Sequence, residues 1–282
     1  MSVMRAATTA SPPRYLFSGH AIGAAAQFHR LDEAENLNHV VPALGASVLP
    51  STGGVSKDSV SDFSFNVDHP RRRVLLAVRR IETSVAGRDL GTRYETELEA
   101  EIEAIRVVDK LHIDRVSMHM LSTFDPGRKE PVVTTRGNRI EGVRLGNVEA
   151  RVEFDDEPLS ACGNKAQLAG FYRSKNAAYR RQNAWRFHTH PEAAEIAEHG
   201  VHYKCSLVRK IELAGPENEK QNMQVDGYTI IWRGFGKIIL GEIHVKGSDR
   251  QLTMVRLAMG SDAGGSGSVG DGQSNGQTSG DA

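Results

Sequence analysis

The stretch that most constrains the fold is Tyr228–Met259, YTIIWRGFGKIILGEIHVKGSDRQLTMVRLAM. Its last two apolar runs flank Gly247-Ser248, and glycine in the first position of a two-residue loop favours a type II′ hairpin turn. With that turn, Lys246 lies opposite Asp249, and the register of the whole hairpin follows. Away from the turn both faces are apolar, so we expect this hairpin to be covered on both sides, as part of the core.

The same register makes a prediction about three polar residues of the hairpin. Arg256 pairs with Ile239, whereas Glu242 and His244 point to the other face of the strand. Because side chains alternate along a strand, the sequence predicts that Glu242, His244 and Arg256 do not converge. A catalytic centre is therefore not expected there.

Residues 94–124 fit two patterns. Glutamates occupy alternate positions with apolar residues between them, which is typical of a half-buried strand, yet Leu98, Ile102 and Ile105 also fit a helical stripe. We favour two strands that turn near Asp109-Lys110. In the second strand the alternation shifts by one residue before Val116, which fits a bulge. The glutamates are Glu95, Glu97, Glu99, Glu101 and Glu103; we interpret them as a solvent-facing ladder paired with basic residues rather than an acid/base or calcium site.

The remaining segments predict the domain organisation. Arg139–Phe154 reads as a hairpin around Gly146-Asn147. Residues 1–13 are expected to form a flexible leader, and the low-complexity residues 261–282 a disordered Gly/Ser-rich tail. Between them, residues 14–260 are expected to form a single β-rich domain with a short helical insertion at about residues 165–200. Short strands with Gly and Pro turns and no βαβ alternation predict a mainly antiparallel β-sandwich or barrel-like fold.

Composition narrows the function classes. Of the 282 residues, 35 are Lys or Arg and 35 are Asp or Glu, so net charge gives no pointer to nucleic acid or an anionic membrane. Two cysteines are too few for a disulfide framework. The N-terminal sequence lacks the apolar run of a secretory signal, and no segment has the length of a membrane span. These features predict a soluble cytoplasmic protein.

The sharpest candidate for chemistry is the histidine-rich segment WRFHTHPEAAEIAEHGVHYKC. Imidazole and thiolate are natural zinc ligands, and a short helix between the two histidine pairs could bring them together. The spacing matches neither a paired CxxC nor an HExxH motif, so the competing interpretation is a set of loop histidines. The candidate ligands are His188, His190, His199, His202 and Cys205, and zinc is the cofactor that they imply.

A second candidate is the basic, aromatic segment at residues 172–186. Cations interleaved with stacking rings suit a single-stranded nucleic acid or another polyanion. An amphipathic helix with solvated arginines is the competing interpretation, and the zero net charge favours it. The candidate polyanion contacts are Arg173, Lys175, Arg180, Arg181 and Arg186.

No nucleophile elbow, P-loop or dinucleotide fingerprint is found in the sequence. The leading hypothesis is therefore a non-catalytic β-scaffold that mediates interaction or assembly, with a protein partner or a second copy of the chain. The alternatives are a metal-binding protein or metal-dependent hydrolase built on the histidine-rich segment, and RNA or polyanion binding through residues 172–186. The sequence does not decide whether the protein is an enzyme, although it favours the non-catalytic interpretation.

Overall fold

The structure is a computed structural model that describes residues 15–29, 39–67, 73–155, 163–164, 166–167, 170, 202–246, 249–260 and 264–278. The first part of the chain forms the strands β1 (Tyr15–Leu16), β2 (Gly19–Phe28), β3 (His39–Val48), β4 (Gly54–Val67), β5 (Arg73–Asp89), β6 (Tyr94–Val107), β7 (Leu111–Phe124), β8 (Val132–Thr135), β9 (Arg139–Glu141), β10 (Val143–Leu145) and β11 (Val148–Phe154). The second part forms β12 (His202–Ser206), β13 (Val208–Ala214), the short helix α1 (Glu217–Lys220), β14 (Met223–Asp226), β15 (Thr229–Trp232), β16 (Gly236–Lys246), β17 (Asp249–Met259), β18 (Gly265–Ser274) and β19 (Gln277–Thr278).

Two antiparallel sheets pack together around one hydrophobic core. The nine-stranded sheet has the order β13-β11-β10-β7-β6-β5-β4, with β8 and β9 also paired to β7. The eight-stranded sheet has the order β14-β15-β16-β17-β18-β2-β3, with β12 also paired to β16. A separate pairing joins β1 to β19. The prediction of a mainly antiparallel β-sandwich is confirmed.

The closing hairpin has the predicted register. Lys246 pairs with Asp249, and Ile239 pairs with Arg256. The hairpin lies inside the eight-stranded sheet, because β15 and β12 flank β16 on one side and β18 flanks β17 on the other. The turn residues Gly247 and Ser248 lie outside the described residues.

The stretch that fitted both helix and strand is the strand pair β6–β7. Val107 pairs with Leu111 across a tight turn in which Val108 and Asp109 have φ values of 53° and 52°. Positive φ at both central residues is the conformation of a type I′ turn, which matches the twist of a hairpin. The second predicted hairpin is β10–β11, in which Leu145 pairs with Val148.

In several strands of the nine-stranded sheet, the alternation of inward-facing and outward-facing side chains is interrupted at one position. These positions lie side by side across the sheet, and we call them the switch line. In β6, Ile102 and Ile105 are both buried, whereas Glu103 and Ala104 between them are not. The pairing register between β6 and β7 is the same on both sides of this position. The alternation is therefore interrupted at paired positions of the two strands. The shift before Val116 is therefore part of this switch line and not the one-residue bulge that the sequence suggested. The line crosses Asp62 (φ 53°), Arg79, Ala104 (φ 53°), Asp114 and Gly142 (φ 65°).

A matching switch line crosses the eight-stranded sheet and packs against the first sheet. Its positions are Gly45, Gly23, Gly270, Met254 and Gly241, and three of these glycines have φ near +60°. The sheets approach closely here, because a Cβ atom on Gly23 would lie 2.1 Å from Cγ2 of Ile81 and one on Gly45 would lie 2.3 Å from it. Glycine is therefore required on this line for packing as well as for backbone conformation.

The prediction of a disordered tail beginning at residue 261 is wrong for residues 265–274. They form β18, which pairs with β17 on one side and with β2 on the other. The Gly/Ser-rich composition suggested disorder because it offers little apolar area to bury. A central strand can nevertheless have this composition where side chains of neighbouring strands fill the space beside it. A Cβ atom on Gly272, for example, would lie 2.8 Å from Cε of Met118. The predicted leader at residues 1–13 lies outside the described residues, as does nearly all of the predicted helical insertion.

Candidate functional site

Most of the predicted zinc ligands lie outside the described residues. These are His188, His190 and His199; the backbone of His202 is in β12, three residues before Cys205. The Cys205 side chain is 1% exposed and belongs to the hydrophobic core. Cys205 does not form a disulfide. The zinc site therefore stays a prediction.

The predicted polyanion segment also lies outside the described residues, together with its contacts Arg173, Lys175, Arg180, Arg181 and Arg186. Binding of RNA or another polyanion through this segment stays a prediction.

The glutamate ladder lies on the outer face of the nine-stranded sheet, and basic residues of neighbouring strands pair with it. Arg115 Nε donates to Glu101 at 2.9 Å, and Arg79 Nη2 donates to Glu103 at 2.6 Å. The pairing of the ladder with basic residues is confirmed for Glu95, Glu97, Glu101 and Glu103. The hydrogen bond from Arg79 holds the pKa of Glu103 below its ordinary value.

One part of this face brings a histidine and two glutamates together. Ligand atoms of Glu97, Glu99 and His119 all lie within 4.8 Å of one another, close enough to hold a metal ion. His119 Nε2 lies 3.0 Å from Glu97 Oε1, and Arg88 Nη2 donates to Glu97 Oε2 at 2.7 Å. The hydrogen bond from His119, followed by Arg88, holds the pKa of Glu97 below its ordinary value.

The hydrogen bonding around His119 argues against a metal on its Nε2 atom. Nδ1 of His119 is buried and has no hydrogen-bond partner within the described part of the chain. Neutral His119 therefore carries its proton on Nε2 and donates it to Glu97. A metal on Nε2 would move this proton to Nδ1, where a buried N–H without an acceptor is costly. We interpret the cluster as a hydrogen-bonded ion-pair network.

The outer face of the eight-stranded sheet holds a polar cluster that the sequence reasoning missed. Arg256 Nη2 lies 2.8 Å from Oε1 of Glu242 and 2.7 Å from Oε2. Next to this pair, Gln251 and Thr253 donate to Asp271 at 3.0 Å. Glu242 and Thr253 are buried, although they face away from the core between the sheets.

The prediction that Glu242 and Arg256 do not converge was wrong, although the register behind it was right. Gly241 has a φ of 59° and lies on the switch line, so the strand exchanges faces between Ile239 and Glu242. Ile239 and Glu242 therefore share the outer face, and Arg256 opposite Ile239 reaches the carboxylate. The sequence signal for this exchange is the apolar content of both faces around Gly241.

Glu97, Glu242 and Asp271 are engaged by cations or by hydroxyl and amide donors. The lowered pKa values of Glu97 and Glu103 hold both carboxyl groups in the charged form. A general acid at neutral pH needs a raised pKa, which neither group has. The outer faces of the sandwich carry networks of ion pairs and hydrogen bonds.

The fold and these networks define an antiparallel β-sandwich protein with charged outer faces. Residues 15–246 match the model of a family described as a domain of unknown function, DUF8256, and the chain belongs to that family. No curated protein and no solved structure matches the chain. Among the described residues, none of the helices has the length and apolar character that crossing a membrane requires.

Proposed function

We propose that the protein is a non-catalytic interaction or assembly module that associates with a second copy of itself. The observation that carries this proposal is the edge strand β4. It has fourteen residues, none of them buried, and it pairs with β5 along its length. Among the described residues no strand pairs with its other edge. An exposed edge of this kind is a template for pairing with another chain.

The other sheet edges are better protected. Strand β14 has four residues, and β13 has seven, which include Arg209 and Lys210. Strand β3 contains Pro42, and it lies beside β4, because its Ala46 N–H donates to a carboxylate oxygen of Asp58 on β4 at 2.8 Å. Short length, charged residues, proline and occupied amides all disfavour pairing. Strand β4 is the longest of these edges and contains no proline.

The charges on β4 suit pairing with a second copy. The strand carries one basic residue, Lys57, and two acidic residues, Asp58 and Asp62, so both signs of charge lie along the edge. Two copies that pair along this edge form an isologous contact about a two-fold axis. Replacement of Lys57 by an acidic residue would leave only acidic charge on the edge, and two copies would then repel each other.

Light scattering coupled to size-exclusion chromatography, over a range of protein concentrations, tests the proposal. The wild-type protein should dimerise, Lys57→Glu should weaken the dimer, and the double variant Lys57→Glu with Asp62→Lys should restore it. Lys210→Glu on β13 is the matched control and should leave association unchanged. A strictly monomeric wild-type protein at high concentration would refute self-association. A dimer that is insensitive to Lys57→Glu would place the contact elsewhere.

We also propose a cytoplasmic location. The low cysteine count and the buried Cys205, which forms no disulfide, support it, because disulfides are rare in that compartment. Fractionation of cells, followed by detection of the protein in the soluble and membrane fractions, tests this location.

A further inference from the structure

A groove runs along the switch line on the outer face of the nine-stranded sheet. Its volume is about 420 Å³, within the range of roughly 300–1,000 Å³ found for small-molecule sites. The lining combines apolar groups, including Phe63, Ala77 and Ala104, with charged groups. The groove lies where adjacent outward residues replace the usual alternation, so the switch line accounts for its position.

Three basic side chains form a row on one side of the groove. Arg106 of β6 pairs with His112 of β7, and His112 in turn pairs with Arg144 of β10. Neighbouring strands are about 4.8 Å apart, which places the two arginine positions about 10 Å apart with His112 between them. An anion above His112 would therefore lie within reach of both guanidinium groups. This row owes its alignment to pairing between strands that are distant in sequence.

The charge in the groove is only partly neutralised. Arg144 donates to Asp114 at 2.7 Å, and Arg79 donates to Glu103 at 2.6 Å. Within the described part of the chain, no ion pair or hydrogen bond involves the side chains of Arg106 and His112. Three arginines line the groove against two aspartates, Asp62 and Asp114. Basic groups held side by side without a carboxylate partner favour an anionic ligand.

We propose that this groove binds a small organic phosphate. The phosphate lies over His112 and accepts hydrogen bonds from Arg106 and Arg144. Arginine suits this role because its planar fork matches phosphate oxygens, and Arg144 keeps donors free beyond the one given to Asp114. The apolar part of the ligand lies against Ala77 and Ala104. The basic row lies on β6, β7 and β10, whereas Asp62, Phe63 and Ser64 of the groove belong to β4. Arg106→Gln therefore tests the phosphate site without changing the β4 edge that is proposed for the dimer, and either proposal can fail alone.

Calorimetric titration with phenyl phosphate at low ionic strength tests the site. Saturable binding is expected, and Arg106→Gln should weaken it roughly tenfold or more, the typical effect of losing a charge-assisted hydrogen bond. His112→Asn provides a second variant that should also weaken binding. Arg80→Gln is the matched control, because Arg80 is an exposed arginine of the same sheet that does not line the groove. Circular dichroism confirms that each variant is folded.

Two comparison ligands sharpen the assignment. Inorganic phosphate should bind more weakly than phenyl phosphate, because it lacks the ring that packs on Ala77 and Ala104. Benzoate should also bind more weakly, because it has fewer acceptor oxygens. Equal affinity for phenyl phosphate and inorganic phosphate would overturn the assignment of an organic ligand. Absence of saturable binding, or equal weakening by Arg106→Gln and Arg80→Gln, would overturn the site itself.

Discussion

Substitution of Gly23 by alanine tests whether the two switch lines hold the sheets in close contact. The new Cβ atom would lie 2.1 Å from Cγ2 of Ile81, whereas carbon atoms pack best at about 3.5–4.0 Å. One sheet must therefore move by about 1.5 Å, or Ile81 must leave its rotamer. Overpacking of this kind costs about 1–3 kcal/mol. The lower entropy of the unfolded chain offsets about 0.4–1 kcal/mol of that cost, so we expect a net loss of about 1–2 kcal/mol.

Two further glycines separate packing from backbone conformation. Gly137 has a φ of 66° and open space around its Cα atom, so Gly137→Ala carries only the cost of the left-handed conformation, which is about 1–2 kcal/mol before the entropic offset. Gly45 has a φ of 59° and would place a Cβ atom 2.3 Å from Ile81. It combines both effects, so Gly45→Ala should be the most destabilising of the three, at about 2–4 kcal/mol.

Urea unfolding followed by tryptophan fluorescence measures these free energies. Ile81→Ala removes the methyl group that meets the new Cβ atom, so Gly23→Ala should cost less in the Ile81→Ala background than in the wild-type protein. Equal costs in both backgrounds would show that Gly23 and Ile81 are not in contact. A change of less than about 0.5 kcal/mol on Gly23→Ala, which is typical of a surface site, would refute the close approach of the sheets.

Three further outcomes are expected. Glu130→Gln should lower the free energy of unfolding by up to about 3 kcal/mol, because Glu130 pairs at 3.0 Å with the buried Arg250; urea unfolding measures it. The wild-type protein should be more stable than the Glu97→Gln variant above pH ~4.3, and this difference should decline as the pH falls through the lowered pKa of Glu97. A difference that does not change with pH would contradict the hydrogen bonding assigned to Glu97. Burial of the side chain, and to a smaller extent the charge of Tyr94, raises the pKa of Tyr15 to about 12. Above pH ~10 the tyrosine ionises in the unfolded chain first, so the wild-type protein should lose stability that the Tyr15→Phe variant retains. Thermal unfolding at rising pH measures this loss.

Local features of the sequence determined several elements correctly. The Gly-Ser pair at positions 247–248 of the sequence predicted the β16–β17 register correctly, and the glutamate ladder indicated which face of β6 is exposed to solvent. These predictions succeed because turn geometry and the two-residue period of a strand depend only on residues close in sequence. The proposed zinc and polyanion residues stay predictions, since nearly all of them lie outside the described residues.

Only the tertiary structure decided where the in-and-out alternation of side chains along a strand is interrupted. It also decided which glycines lie against large side chains of the facing sheet. Arg256 reaches Glu242 because Gly241 reverses the alternation, and the Gly/Ser-rich β18 is a strand because β17 and β2 supply its hydrogen bonds. The Arg106–His112–Arg144 row likewise depends on the order of the strands. Composition and spacing describe one strand at a time, whereas these features arise from contacts across a sheet or between the two sheets, where packing decides which conformation is stable.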